Sequence, residues 1–237
     1  MTKIPFYIGT LFACFVPDSH QRHVVRGWVN GILYFPRISI FIKTVYGKFA
    51  HKLRFVRQHT PDRCVCIVND KYYVKIFKKV SVQKLKRFAK LTDYVASKLD
   101  VAIPKIFVGK ISSMYVCEKL KGRSIYDFDK KYVMKHHKKI ENQVAKIIKD
   151  LQSINVKKIP DYKDYTSALQ SSPIEKITSR SVLGHFDLNE TNFLFDDNLN
   201  ICGIIDWDGL RITNDKDKDM QIFMKYWNRY KDLAKKS

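Results

Sequence analysis

Three side chains in the last quarter of the chain have the types and spacing that chemistry needs. Asp187 and Asn192 lie five positions apart in HFDLNETNFLF (residues 185–195), and a further acid, Asp206, stands in GIIDWD (residues 203–208). Each borders an apolar, strand-like run, Phe193 to Phe195 and Ile201 to Ile205. Phosphoryl transfer from a nucleotide asks little covalent chemistry of a protein; it asks for positioned phosphates and neutralised charge. Magnesium is a hard cation, held by one or two oxygen-bearing side chains and by phosphates. One loop can supply Asp187 to an attacking hydroxyl and Asn192 to a metal. The turn residues Asn189, Glu190 and Thr191 would point both inward. A turn at Asp197-Asn198 makes a hairpin of the two apolar runs and brings Asp206, the metal carboxylate, near Asn192.

The elements that must position these residues are legible upstream. Arg63 to Val68 and Tyr72 to Phe77 are β-rich runs separated by Asn69-Asp70-Lys71, a hairpin turn. From Ser81, a capping residue, Val82, Leu85, Phe88, Ala89, Leu91, Val95 and Leu99 recur at helical spacing. Short strands follow at Ile106 to Val108 and Met114 to Cys117. Past Gly122 the texture turns helical: Tyr132 to Leu151 carries apolar residues on one side and lysines on the other. Residues 160–173 read as polar surface, and a last amphipathic helix covers about Met220 to Leu233. The expected architecture is α+β and two-lobed, a small antiparallel sheet with one helix and then a mainly helical lobe. We divide the chain into an N-terminal segment 1–45, a first lobe 46–120 and a second lobe 121–237, the change of texture falling at Glu118 to Gly122.

A chain of 237 residues, 45% apolar and 13% aromatic, has material for a real core, and its formal charge of +21 favours anionic partners. Nothing supports a nucleic-acid partner, since no helix-turn-helix, zinc finger or aromatic RNA motif is present. Five scattered cysteines without a CxxC pair indicate neither a disulfide framework nor a zinc site, and fit a reducing, cytoplasmic compartment. The apolar run Ile4 to Val16 is too short to span a bilayer and lacks a signal-peptide cleavage site. A second run, Gly31 to Phe35, is interrupted by Pro36-Arg37 and resumes at Ile38 to Ile42. Two readings of this basic-apolar segment stay open: contact with an anionic membrane surface, or a helix packed on the core.

The motif stretch resembles the aminoglycoside phosphotransferase and choline kinase group, relatives of the protein kinases. In that group the catalytic loop reads H-x-D-x-x-x-x-N and a hairpin leads to I-D-[WF]-[DE]. His185, Asp187 and Asn192, then Ile205-Asp206-Trp207-Asp208, match position by position. The group also carries an acid about thirteen residues beyond the metal aspartate, where Asp219 stands. Val74-Lys75-Ile76 resembles the strand lysine that holds the α- and β-phosphates. Tyr115 to Gly122, with Glu118 and Leu120, resembles the hinge whose backbone contacts adenine. The resemblance implies a two-lobed protein-kinase-like fold, ATP and Mg2+ as cofactors, and Asp187 as the group facing the acceptor hydroxyl. It covers roughly residues 60 to 225.

The chain departs from the pattern in two places. No glycine-rich loop precedes Lys75, and the helix after it has no glutamate to pair with the lysine, leaving the shorter Asp93 in that part. His185 is expected to brace the loop and Asp208 to support as much as to act. His136 and His137 point about 100° apart on a helix and do not share an ion. The run Asp215-x-Asp217-x-Asp219 lacks the Gly and the Glu of a calcium loop. The charge suits a phosphorylated, anionic acceptor better than cationic choline or an aminoglycoside. The expected activity is that of a lipopolysaccharide core sugar (heptose) kinase, whose superfamily members have comparable length, acting in the bacterial cytoplasm or peripherally at the inner membrane. The alternatives are a choline- or aminoglycoside-type kinase and a kinase-like binding protein without transfer activity.

Overall fold

The computed structural model describes residues 19–60, 63–109, 113–165 and 176–235, together with positions 8, 11, 13–16 and 169. The chain divides into two compact units. One comprises residues 1–89 and 105–119, the other residues 90–104 and 120–237.

The first unit is a five-stranded antiparallel sheet in the order β1-β2-β3-β5-β4. Its strands are β1 (Leu53–Thr60), β2 (Arg63–Val68), β3 (Tyr72–Phe77), β4 (Ile106–Val108) and β5 (Met114–Glu118). The β2–β3 hairpin turns at Asn69 and Asp70, both left-handed (φ 53° and 56°), as the central positions of a type I′ turn require, and Lys71 N donates to Val68 O at 3.1 Å to close it. The Asn69 side chain also accepts the N–H groups of His51 and Lys52 and donates to Phe49 O, tying this turn to the start of β1.

One face of the sheet is covered by α1 (Ser19–Tyr46). Alternation along the strands puts Cys64, Cys66, Val68, Tyr72, Val74, Ile76, Met114 and Val116 on that face, where they meet Tyr34, Ile38 and Ile42 of the helix. Tyr46 stacks on Tyr72, with ring centroids 4.2 Å apart. Pro36-Arg37 interrupts the apolar run but not the helix, which runs through Pro36. A proline there forfeits one backbone hydrogen bond, an expense of about 3 kcal/mol in an isolated helix. Full burial of three large side chains at spacing four more than offsets it. Most of the run Ile4 to Val16 lies outside the described residues. So does much of the polar stretch 160–173.

Helix α2 (Val82–Ala96) starts at Ser81, whose Oγ accepts Lys84 N at 3.1 Å, and it passes from the first unit into the second. In the second unit the helix expected from Tyr132 to Leu151 is two helices, α3 (Lys130–Lys135) and α4 (His137–Ser153). The Nδ1–H groups of His136 and His137 donate to Tyr132 O and Met134 O, so the histidine pair serves as a C-cap. Ile140, Val144, Ile147, Ile148 and Leu151 form the buried stripe of α4. Helix α5 (Lys218–Lys235) buries Phe223, Trp227 and Tyr230. Glu141 joins α4 to α5: Trp227 Nε1–H and Lys231 Nζ both donate to its Oε1 at 3.0 Å. Two small ribbons complete the unit, β6 (Val182–Gly184) with β9 (Arg211–Thr213) and β7 (Phe193–Phe195) with β8 (Ile201–Ile204).

Candidate active site

The motif loop leaves β6 at Gly184 and is held from below. His185 is fully buried, and Phe186 adopts the left-handed conformation (φ 62°), which costs a residue with a Cβ about 1–2 kcal/mol. Asp219, on the first turn of α5, offsets this by accepting His185 N at 2.8 Å and Phe186 N at 2.6 Å. The imidazole of His185 accepts Asp187 N on Nδ1 and donates from Nε2 to Ile205 O, each at 3.3 Å. Trp207 packs on the ring at 4.5 Å and anchors itself by donating Nε1–H to Ile204 O. His185 is thus a brace between the loop and the end of β8. Gly209 passes so close that a Cβ would lie 2.4 Å from His185 O, so the turn Trp207–Gly209 needs glycine there.

Beyond His185 the loop folds on itself. Asn189 Nδ2 donates to Asp187 Oδ1 at 2.9 Å and orients that carboxylate, while Asn189 Oδ1 accepts Thr191 N. Asn192 Nδ2 donates to Asp187 O at 2.7 Å. The β7–β8 hairpin pairs Phe193 with Ile204, and Ile205 N donates to Asn192 O at 2.9 Å. This register sets the backbones of Asn192 and Asp206 beside each other at the open end of the hairpin. Its turn is closed by Asp196, which accepts Asn198 N and Asn200 N. Asp206 is left-handed (φ 59°, ψ 53°), a conformation that aspartate tolerates better than most residues.

The donor set fits a hard cation. With the NH2 of Asn192 spent on Asp187 O, the amide oxygen is its remaining polar atom, and Asp206 adds a carboxylate. No group of three or more His, Cys, Asp or Glu that could hold a metal occurs among the described residues. A cation held by Asn192 and Asp206 would therefore complete its shell with phosphate and water oxygens, as Mg2+ does with nucleotides.

The other expected site residues fall as follows. In the first unit Lys75 lies on the face of β3 opposite α1, in register with Val65 and Tyr115, and is only 8% exposed. Its neighbours Lys71 and Lys79 are exposed, so Lys75 is not one more surface lysine. Its Nζ lies 5.7 Å from the Tyr115 ring, which Phe77 and Phe88 also flank. Glu118 ends β5 and pairs with Lys71 at 3.1 Å. In the second unit Leu120 packs near Gly203, Asp208 is buried in the turn after Trp207, and Asp93 is exposed on α2.

Two features had no signal at the sequence level. Asn189, read only as a turn residue, orients Asp187. Glu190 is buried and accepts Tyr126 Oη–H at 2.7 Å, which ties the loop to the segment after Gly122. Burial first, then this carboxylate, pushes the Tyr126 phenol well above its ordinary value. An isolated Tyr in GRSIYDF announces nothing of that contact.

No protein-family model and no curated protein matches the chain. Solved structures do. The streptomycin–ATP ternary complex of APH(2″)-IIa matches at 18% identity, covering 84% of this chain and 87% of that one, with a TM-score of 0.58. The GDP and kanamycin complex of APH(2″)-IIIa matches at 15% identity over 85% and 83%, with a TM-score of 0.57. The macrolide 2′-phosphotransferase MphH of Brachybacterium faecium matches at 16% identity over 83% and 80%, with a TM-score of 0.53. The antiparallel sheet with its helix, and the helical unit that carries the braced loop and its hairpin, are thus arranged in the fold of the aminoglycoside and macrolide phosphotransferases.

Proposed function

We propose that the chain is an ATP- and Mg2+-dependent phosphotransferase whose acceptor is a hydroxyl of an anionic glycan, a lipopolysaccharide core sugar first among them. The observation that carries the reading is the junction of loop and hairpin: Asp187 oriented by Asn189 and His185, with Asn192 bonded to its carbonyl and Asp206 beside Asn192. Asp187 accepts the proton of the acceptor hydroxyl as it attacks. Asn192 and Asp206 supply oxygen to the cation, Lys75 neutralises the α- and β-phosphates, and the backbone at Glu118 to Leu120 meets the base. The cation, when bound, neutralises charge that builds on the transferred phosphoryl group. Asp219 and His185 hold the loop in shape, and Asp208 supports the turn behind it.

The acceptor class rests on charge. Two of the similar structures are complexes, one with GDP and kanamycin and one with ATP and streptomycin. A chain at +21 repels cationic aminoglycosides and attracts phosphorylated sugars. All five cysteines are free thiols, which fits a reducing, cytoplasmic compartment. A second reading, a nucleotide-binding protein without transfer activity, draws on Asp93 in place of a helix glutamate.

The test is thermal unfolding with ATP, with and without Mg2+, of the wild type and Asp206→Ala. A nucleotide at 100 times its dissociation constant adds about 2.7 kcal/mol of stability. The reading expects a Mg2+-dependent shift that the variant loses, followed by transfer of labelled phosphate to core glycan and not to kanamycin or choline. Binding without transfer to any acceptor supports the second reading. No shift at millimolar ATP removes both.

A further inference from the structure

Helix α1 settles on the sheet with one side only. Val24, Trp28, Ile32, Pro36 and Ile40 recur every four residues and form a single inclined row on the helix surface. All five are exposed, and the four large ones are 49%, 55%, 48% and 63% accessible. Leu33, 41% exposed, lies beside the row. Neither the sheet nor any other described residue covers this ridge, which is longer than the isolated apolar side chains ordinary on a surface.

Its surroundings carry one sign of charge. Residues 1–60 hold nine Lys and Arg and a single acid, Asp18, and α1 itself holds Arg22, Arg26, Arg37 and Lys43 with no acid. Arg37 follows Leu33 by one turn and Lys43 follows Ile40 by three positions, so cations border the apolar row. A second copy of this face would bring like charges together, whereas an anionic lipid surface complements them and accepts the apolar row beneath its headgroups. A tryptophan in such a row suits the headgroup depth. No helix among the described residues is long and apolar enough to cross a membrane, so the contact would lie along the surface.

We propose that the outward row of α1, centred on Trp28 and Ile32, docks the protein onto anionic bilayer surfaces. The sequence leaves membrane contact and core packing as competing uses of this segment; the helix serves both, with Tyr34, Ile38 and Ile42 inward and the row Val24 to Ile40 outward. The proposal does not rest on the phosphotransferase reading.

The test is co-sedimentation of the full-length protein with phosphatidylcholine vesicles, with and without about a third phosphatidylglycerol, at low and high salt. The wild type is expected on the anionic vesicles only, less so as salt rises. The double variant Trp28→Glu, Ile32→Glu, checked for an unchanged unfolding transition, is expected to partition at least about tenfold more weakly at the same salt. Equal binding of variant and wild type would overturn the proposal, since charge alone would then suffice. So would a wild type that ignores both vesicles. Light scattering that shows a dimer abolished in the variant would also overturn it, by assigning the row to a second copy of the chain.

Discussion

Asp219 and Phe186 are joined across the fold by a 2.6 Å hydrogen bond in which a buried carboxylate accepts the N–H of a left-handed residue, its other oxygen accepting His185 N at 2.8 Å. The acid opens α5, yet its work is done in the motif loop, where it holds a conformation that Phe186 would otherwise avoid. Asp219→Asn turns an NH2 toward one of the two donors and leaves that N–H unsatisfied. We expect a loss of about 2–3 kcal/mol in urea unfolding, accompanied by loss of any transfer activity. An unchanged midpoint would remove the bracing role.

On the proposed reading, Asp187 and Asp206 separate binding from chemistry. Asp206→Ala should abolish the Mg2+-dependent part of nucleotide stabilisation. Asp187→Ala should keep that stabilisation and lower the transfer rate by about 10²–10⁴. If both variants lose nucleotide binding alike, the division of roles fails. Lys75→Met, which fills nearly the same buried volume with an apolar chain, should fold and bind ATP more weakly, read by the same unfolding assay.

Two glycines give a matched pair. Gly122 has φ +125°, and a Cβ there would stand 2.9 Å from Cys202 Sγ and from Leu194 Cβ. Gly47 has φ +72° and nothing within 4 Å. Gly122→Ala should cost about 3 kcal/mol, backbone strain and overlap together. Gly47→Ala should cost about 1 kcal/mol, strain alone. Equal losses would show that the crowding around Gly122 relaxes freely.

The acid limb of stability should carry a contribution from Glu141. Burial raises its carboxyl, but hydrogen bonds from Lys231, Trp227 and Lys138 outweigh that and hold it below the ordinary carboxylate range. A group whose folded value is depressed stabilises the fold above the unfolded value and ceases to do so as pH falls through the folded one. The advantage of wild type over Glu141→Gln should therefore be level at neutral pH and shrink below about pH 4.3, measured as urea midpoint against pH. A difference independent of pH would mean that packing, not charge, sets the effect.

The sequence by itself determined the elements whose signals are local. The Asn69-Asp70 turn was legible because few residues accept left-handed positions, and the β7–β8 hairpin because two apolar runs flank Asp197-Asn198. Periodicity marked α2 and α5. The spacing of Asp187, Asn192 and Asp206 was legible for the same reason, since a short loop and a hairpin are built from neighbours. Even so, the 132–151 stripe misled. Local rules end a helix at proline and continue one through an unbroken apolar stripe, but burial against the sheet carried α1 past Pro36, and side-chain caps from His136 and His137 divided α3 from α4.

Only the tertiary structure decided what holds the motif in place. The contact of Asp219 with the loop spans more than thirty positions, and that of Glu190 with Tyr126 more than sixty. It decided also that Lys75 is buried while Lys71 and Lys79 face water, because Lys75 stands mid-strand between β2 and β5 whereas the other two lie just beyond the ends of β3. The same holds for α1, where identical residue types point inward at Ile38 and outward at Ile32. A pattern of apolar residues states that burial is wanted, and the fold settles which of them receive it.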